Sequence, residues 1–123
     1  MFVRPRILSV GTAVPPNRYT QEDVISRYAV HNPAIKNIFS ASHIQTRHLY
    51  LPPVNKEGKP EETQSDLLKK HRKGALELAE QAIEACLTPQ GLKASDIDML
   101  CCISSTGFML PGLTAMFIKH LGF

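Results

Sequence analysis

Three hydroxyls in a row, Ser104, Ser105 and Thr106, followed by Gly107, are the residues of this chain best suited to line a small-molecule site. They follow an apolar run, residues 99–103, that reads as a strand, and open α/β sheets place ligands beyond the C-terminal ends of their strands. The same hydroxyls can instead satisfy backbone groups in the turn ahead of Pro111-Gly112, and spacing alone favours that use. Phe108, Met109, Leu110 and Pro111 separate Gly107 from Gly112, a spacing that fits neither a P-loop nor a dinucleotide-binding turn.

The other reactive side chains point to less. Cys86, Cys101 and Cys102 are an odd count with two adjacent, which is the wrong pattern for a disulfide scaffold and suits a reducing compartment. Burial in mid-strand would raise the thiol pKa of Cys101 and Cys102 and block access, so packing is expected of them rather than nucleophilic attack. His43 and His48 lie on a stretch that reads as extended, and no CxxC spacing exists, so no metal site is expected. His120, near the end of the last helical pattern, suits a helix-dipole partner better than a general base. The basic cluster Lys69, Lys70, His71, Arg72 and Lys73 reads as the solvated start of a helix rather than a phosphate site.

These residues need a scaffold, and the pattern supplies one. Residues 3–10 read as a first strand ending at Gly11. Thr20 caps a helix, with Asp23 three residues on, and Val24, Ile25 and Tyr28 form its apolar stripe. Residues 34–41 suit a second short helix through Ile35, Ile38 and Phe39, and residues 43–51 read as extended. Residues 54–64 are polar enough to predict an exposed, mobile loop. Leu68, Ala75, Ala79, Ala82, Ile83 and Cys86 then share one face of a long amphipathic helix over 65–87. Thr88-Pro89-Gln90-Gly91 ends it, residues 97–104 form a second strand, and residues 113–121 form a last helix.

Composition bounds the class. The chain has 123 residues, 14 basic and 11 acidic side chains, and 43% hydrophobic residues, values of a globular chain rather than a disordered one. No apolar run approaches the roughly 20 residues of a membrane span, and the N-terminus has no signal-like apolar stretch, which predicts a soluble, unexported, cytoplasmic protein. The second strand is apolar on both faces and should lie at the centre of a covered, mostly parallel sheet, reached through the long helix as crossover. An α/β fold follows. Two strands cannot cover such a sheet, so the sequence is expected to be a piece of a larger domain.

At this point the residues resemble a family. Ile7-Leu8-Ser9-Val10-Gly11-Thr12-Ala13-Val14-Pro15-Pro16, Tyr19-Thr20-Gln21, His43-Ile44-Gln45-Thr46-Arg47-His48-Leu49-Tyr50-Leu51, and above all Ser105-Thr106-Gly107-Phe108-Met109-Leu110-Pro111-Gly112 resemble the opening part of type III polyketide synthases, the chalcone-synthase-like enzymes of the thiolase fold. The run from Cys101 to Leu113 is similar to the bacterial branch that makes 3,5-dihydroxyphenylacetyl-CoA from malonyl-CoA.

The resemblance implies αβαβα layers, with residues 1–123 forming most of the first half of a condensing enzyme as an incomplete domain with a partial mixed or parallel sheet. It implies a homodimer that loads an acyl unit from an acyl-CoA onto a cysteine and extends it with decarboxylated malonyl-CoA units, with no permanently bound cofactor and no nucleic-acid or membrane partner. The catalytic Cys, His and Asn would lie beyond Phe123, in the remainder of the enzyme, leaving this chain inactive alone. Ser105, Thr106, Gly107 and Phe108 would line the substrate pocket, and Leu110, where the family usually has Met, would cross the dimer interface to close the neighbour's cavity. Lys36 is the residue left to contact CoA phosphates, although an ordinary solvated lysine fits it as well. Two other readings stay open: a ketoacyl synthase III-like condensing enzyme using a carrier protein, and a non-catalytic interaction module working through a sheet edge or the basic patch.

Overall fold

The computed structural model describes residues 4–123. The chain divides into two compact units, Val14–Leu67, and Met1–Ala13 with Leu68–Phe123.

In the first of these, short elements are held by local polar signals. Strand β1, Arg18–Thr20, runs directly into helix α1, Gln21–Arg27. Thr20 accepts from the Asp23 backbone N–H at 3.0 Å through Oγ1, while Asp23 Oδ2 accepts from the Thr20 N–H at 2.7 Å. This reciprocal box satisfies two donors that a helix start otherwise leaves open. Helix α2, Pro33–Ala41, starts at Asn32, whose side chain accepts from the Ala34 N–H at 2.9 Å, with Pro33 in the first-turn position where its missing N–H costs nothing. Strand β2, Thr46–His48, pairs antiparallel with β1 in the register Arg18↔His48, Tyr19↔Arg47, Thr20↔Thr46. Val24 and Ile25 on α1 are the buried apolar residues of this unit.

The polar stretch 54–64 folds back on itself. Val54 and Pro60 form a single antiparallel bridge, and Asn55 Oδ1 accepts from the N–H groups of Glu57 and Lys59, both at 2.9 Å. Gly58, at φ +76°, is buried with its Cα side against the Tyr28 backbone, where an added Cβ would stand 2.5 Å from the carbonyl carbon.

The other unit is built on helix α3, Gln64–Leu87, which begins one residue earlier than the spacing predicts. The reason is a second Thr-x-x-Asp box: Asp66 Oδ2 accepts from Thr63 Oγ1 at 2.6 Å, and Thr63 Oγ1 accepts from the Asp66 N–H at 3.2 Å. Two short 3-10 turns, Thr88–Gln90 and Ala94–Asp96, follow, with Gly91 in the left-handed region at φ 66°. Helix α4, Leu113–Leu121, ends at Gly122, also left-handed at φ 75°. Met116 and Phe117 are its buried residues. Gly11 lies so close to α3 that an added Cβ would overlap the Ala82 carbonyl oxygen and stand 2.6 Å from the Cys86 backbone nitrogen.

Both expected strands of this unit are corrected. Residues 4–10 and 97–104 join no ladder among the described residues, and Val3 lies outside them. The run expected at the centre of a covered sheet is instead open: Met99 is 84% and Ile103 92% exposed, and Ile7 88%. The physical reason is pairing. A strand has no hydrogen bonds of its own, so an apolar run without neighbours on its edges stays unladdered, whereas α3 and α4 satisfy their backbones internally.

Candidate functional site

The hydroxyl turn is positioned from the α3 side. Ser104 donates through Oγ to the Thr106 carbonyl at 2.7 Å, so this hydroxyl closes the turn, the use that spacing alone favours. Ser105, Thr106, Gly107 and Phe108 are exposed, Phe108 by 85%. Gly107 adopts φ +81°, a left-handed conformation that a Cβ would penalise, and its open side faces the imidazole of His71 on α3. An added Cβ there would overlap His71 Cδ2 and stand 2.6 Å from Nε2. His71 Nε2 is buried and has no hydrogen-bond partner among the described residues. Leu110, 87% exposed, precedes Pro111 across a cis peptide bond.

The remaining candidates lie on other elements. Lys36 sits on the exposed face of α2, in the other unit. Cys101 is exposed and Cys102 half-buried, so the expected mid-strand burial of the pair is corrected for the same reason as the strand itself. Cys86 is half-buried on α3, against Gly11. His120 finds a side-chain partner as well as a helix end: its Nε2 lies 3.7 Å from Glu80 Oε2 on α3, an ion pair when the imidazole is protonated. In the basic cluster, Lys73 lies 3.7 Å from Glu77 one turn on, an exposed pair of little energetic weight. Among the described residues no group of three His, Cys, Asp or Glu side chains could hold a metal ion, and no helix is long and apolar enough to cross a membrane. A groove of about 280 Å³ between the C-terminal half of α3 and Leu121, bordered by Ile83, Leu87 and Leu92, is separate from the hydroxyl turn.

Sequence reasoning missed two positioning groups. His71 entered only as one member of a basic cluster, because its contact with Gly107 joins positions 36 residues apart, which no periodicity reports. Gln21 was also missed. Its Nε2 donates to the Phe39 carbonyl at 3.0 Å and to Ser42 Oγ at 2.8 Å, and its Oε1 accepts from Arg47 Nε at 3.1 Å, tying α1, α2 and β2 together.

The fold has a known counterpart. In backbone path the chain is an α/β piece of the thiolase-like fold: 94% of it superposes on 36% of PKS-I from the brown alga Ectocarpus siliculosus with a TM-score of 0.80, at 24% identity. In sequence it is 43% identical over 120 residues, or 97% of its length, to the 3,5-dihydroxyphenylacetyl-CoA synthase of Streptomyces toyocaensis. The Amycolatopsis orientalis protein of the same name is also 43% identical, over 118 residues, and the 1,3,6,8-tetrahydroxynaphthalene synthase of Streptomyces peucetius subsp. caesius 32%, over 94% of the chain. The chain spans about a third of the length of these curated relatives. No family model matches it.

Proposed function

We propose that residues 1–123 are the wall-forming third of a type III polyketide synthase of the 3,5-dihydroxyphenylacetyl-CoA synthase branch. The observation that carries this reading is 43% identity across 97% of the chain to a synthase about three times its length. The surface supports it. The chain exposes 9712 Å², whereas the usual scaling gives roughly 6,600 Å² for one folded domain of this mass and roughly 7,900 Å² for two independent halves. The excess includes Ile7, Val10, Met99, Ile103, Phe108 and Leu110, the side chains that a larger sheet and a partner would cover.

In the complete enzyme a cysteine outside these residues takes the acyl group from an acyl-CoA starter. A malonyl-CoA unit then loses CO2, and its enolate carbon attacks the thioester carbonyl and releases the thiolate. By the family resemblance, the Cys, His and Asn that do this lie in the remaining polypeptide, where a thiolate beside a base supplies the covalent catalysis. This chain contributes shape. Ser105, Thr106, Gly107 and Phe108 border the acyl pocket, and Leu110 reaches across a homodimer interface to keep the neighbour's site dry. Lys36 offers a point charge to a CoA phosphate. No bound cofactor takes part, and the assembled enzyme is a soluble cytoplasmic dimer. Residues 1–123 are an incomplete domain of that enzyme, in which the polar stretch 54–64 is a loop pinned by Asn55 and the Val54–Pro60 bridge.

Grafting tests this. Put in place of the matching third of the Streptomyces toyocaensis synthase, residues 1–123 should give an enzyme that consumes malonyl-CoA within about tenfold of the parent, while the 123-residue chain alone releases no CoA. A graft that melts cooperatively yet consumes none overturns the reading, and a graft that accepts malonyl units only from a carrier protein would favour a ketoacyl synthase III-like enzyme.

A further inference from the structure

The hydroxyl turn does not hold its own shape. Ser104 Oγ bonds within it, but Gly107, at φ +81°, is fixed by what lies against it, and that neighbour is the His71 ring. The ring is so close that no side chain fits at position 107, and its Nε2 is buried without a hydrogen-bond partner among the described residues. A hydrogen bond through Nε2 therefore does not explain the ring's place, and steric contact with the Gly107 backbone does. Helix α3 is the longest element of the chain and presents this ring from its N-terminal half, so the wedge is carried by a rigid support.

We propose that His71 is a positioning residue for starter selection: its imidazole acts as a wedge that sets the backbone path of residues 105–107 and so the width of the acyl pocket they border. This rests on the reading of that turn as pocket wall. Removing the wedge lets the turn relax toward α3 and widens the pocket, which admits bulkier acyl groups at the expense of the native one. Because the ring acts by volume, phenylalanine substitutes for it and alanine does not.

The test uses the grafted synthase supplied with malonyl-CoA, with and without hexanoyl-CoA as a competing starter. His71→Ala should raise the hexanoyl-primed share of product at least fivefold and raise the malonyl-CoA KM, with kcat changed less than twofold, and His71→Phe should restore the parental ratio. Gly107→Ala should lower kcat/KM about a hundredfold, and adding His71→Ala should recover at least tenfold of that, since the overlapping ring is gone. If His71→Ala leaves the product ratio unchanged, if His71→Phe behaves like His71→Ala, or if the double variant is no better than Gly107→Ala, the wedge is overturned. A graft inactive with His71 intact would instead sink the functional reading on which the wedge rests, and the two failures are thereby told apart.

Discussion

Residues 14–67 and the unit built on α3 and α4 solve the same problem with opposite resources. In the first, elements of three to nine residues are tied by specific polar contacts: the Thr20–Asp23 box, the Gln21 bridge to Phe39, Ser42 and Arg47, Arg27 Nη2 donating to the Pro52 carbonyl at 2.8 Å, and His48 Nδ1 2.7 Å from the Pro15 carbonyl oxygen. In the second, two helices satisfy themselves, and the extended runs between them carry bare apolar side chains. Polar ties complete a small unit from within, while an apolar surplus has to be completed from without.

The sharpest way to break that contrast is to charge the surplus. Ile103→Asp should be nearly silent in the 123-residue chain, within about 0.5 kcal/mol by urea unfolding, because the side chain is 92% exposed there. In the grafted synthase the same change should cost at least ~3 kcal/mol or prevent soluble assembly, since it would bury a carboxylate in the sheet. Equal effects in the two settings would mean that nothing covers the run.

Two glycine substitutions probe how each unit packs its backbone. Gly11→Ala sets a Cβ into the backbone of α3 at Ala82 and Cys86, which cannot move like a flexible side chain, and should destabilise by about 3 kcal/mol in denaturant titration. Gly58→Ala combines a left-handed φ with a Cβ 2.5 Å from the Tyr28 carbonyl carbon and should cost about 2 kcal/mol, with faster amide exchange at Lys59, whose N–H bonds to Asn55. Finding Gly58 the costlier would reverse the contrast, making the polar unit the more tightly packed.

The same contrast governs what could be read in the sequence. Helices α1 to α4 were legible because caps, spacing and stop signals are local: Thr20 with Asp23, the apolar face through Ala79, Ala82 and Ile83, and Gly122 after Leu121. The apolar character of residues 99–103 was legible too, but a strand is a relation between segments, and this run joins no ladder among the described residues. The site was half legible. Ser105, Thr106 and Gly107 stand out by type and by family resemblance, whereas His71 is visible only once α3 is folded against Gly107, and Gly58 looked like loop until Tyr28 was placed beneath it.

The smallest expected effect separates the polar unit's ties from simple helix propensity. Asp23 is held below its ordinary pKa of 3.8 first by the hydrogen bond from the Thr20 backbone N–H and then by its hydrogen-bonding with the Thr20 side chain, against a weak opposing effect of desolvation. A carboxylate with a lowered folded-state value adds stability at pH above its unfolded value, and that stability is lost as pH falls through the lower folded value. The stability of residues 14–67 against unfolding, followed by the exchange of α1 amides, should therefore fall below pH 4 in the parent, and Asp23→Asn should remove that part of the pH dependence while leaving the neutral-pH fold in place. Thr20→Ala should cost about 1 kcal/mol, because it removes the Oγ1 that accepts from the Asp23 N–H, and should raise the Asp23 titration midpoint, because the Thr20 side chain is the second of the two influences that lower it. If Asp23→Asn left the acid-side slope unchanged, the box would be a geometric coincidence, and the β1–α1 corner would rest on the β1–β2 ladder alone.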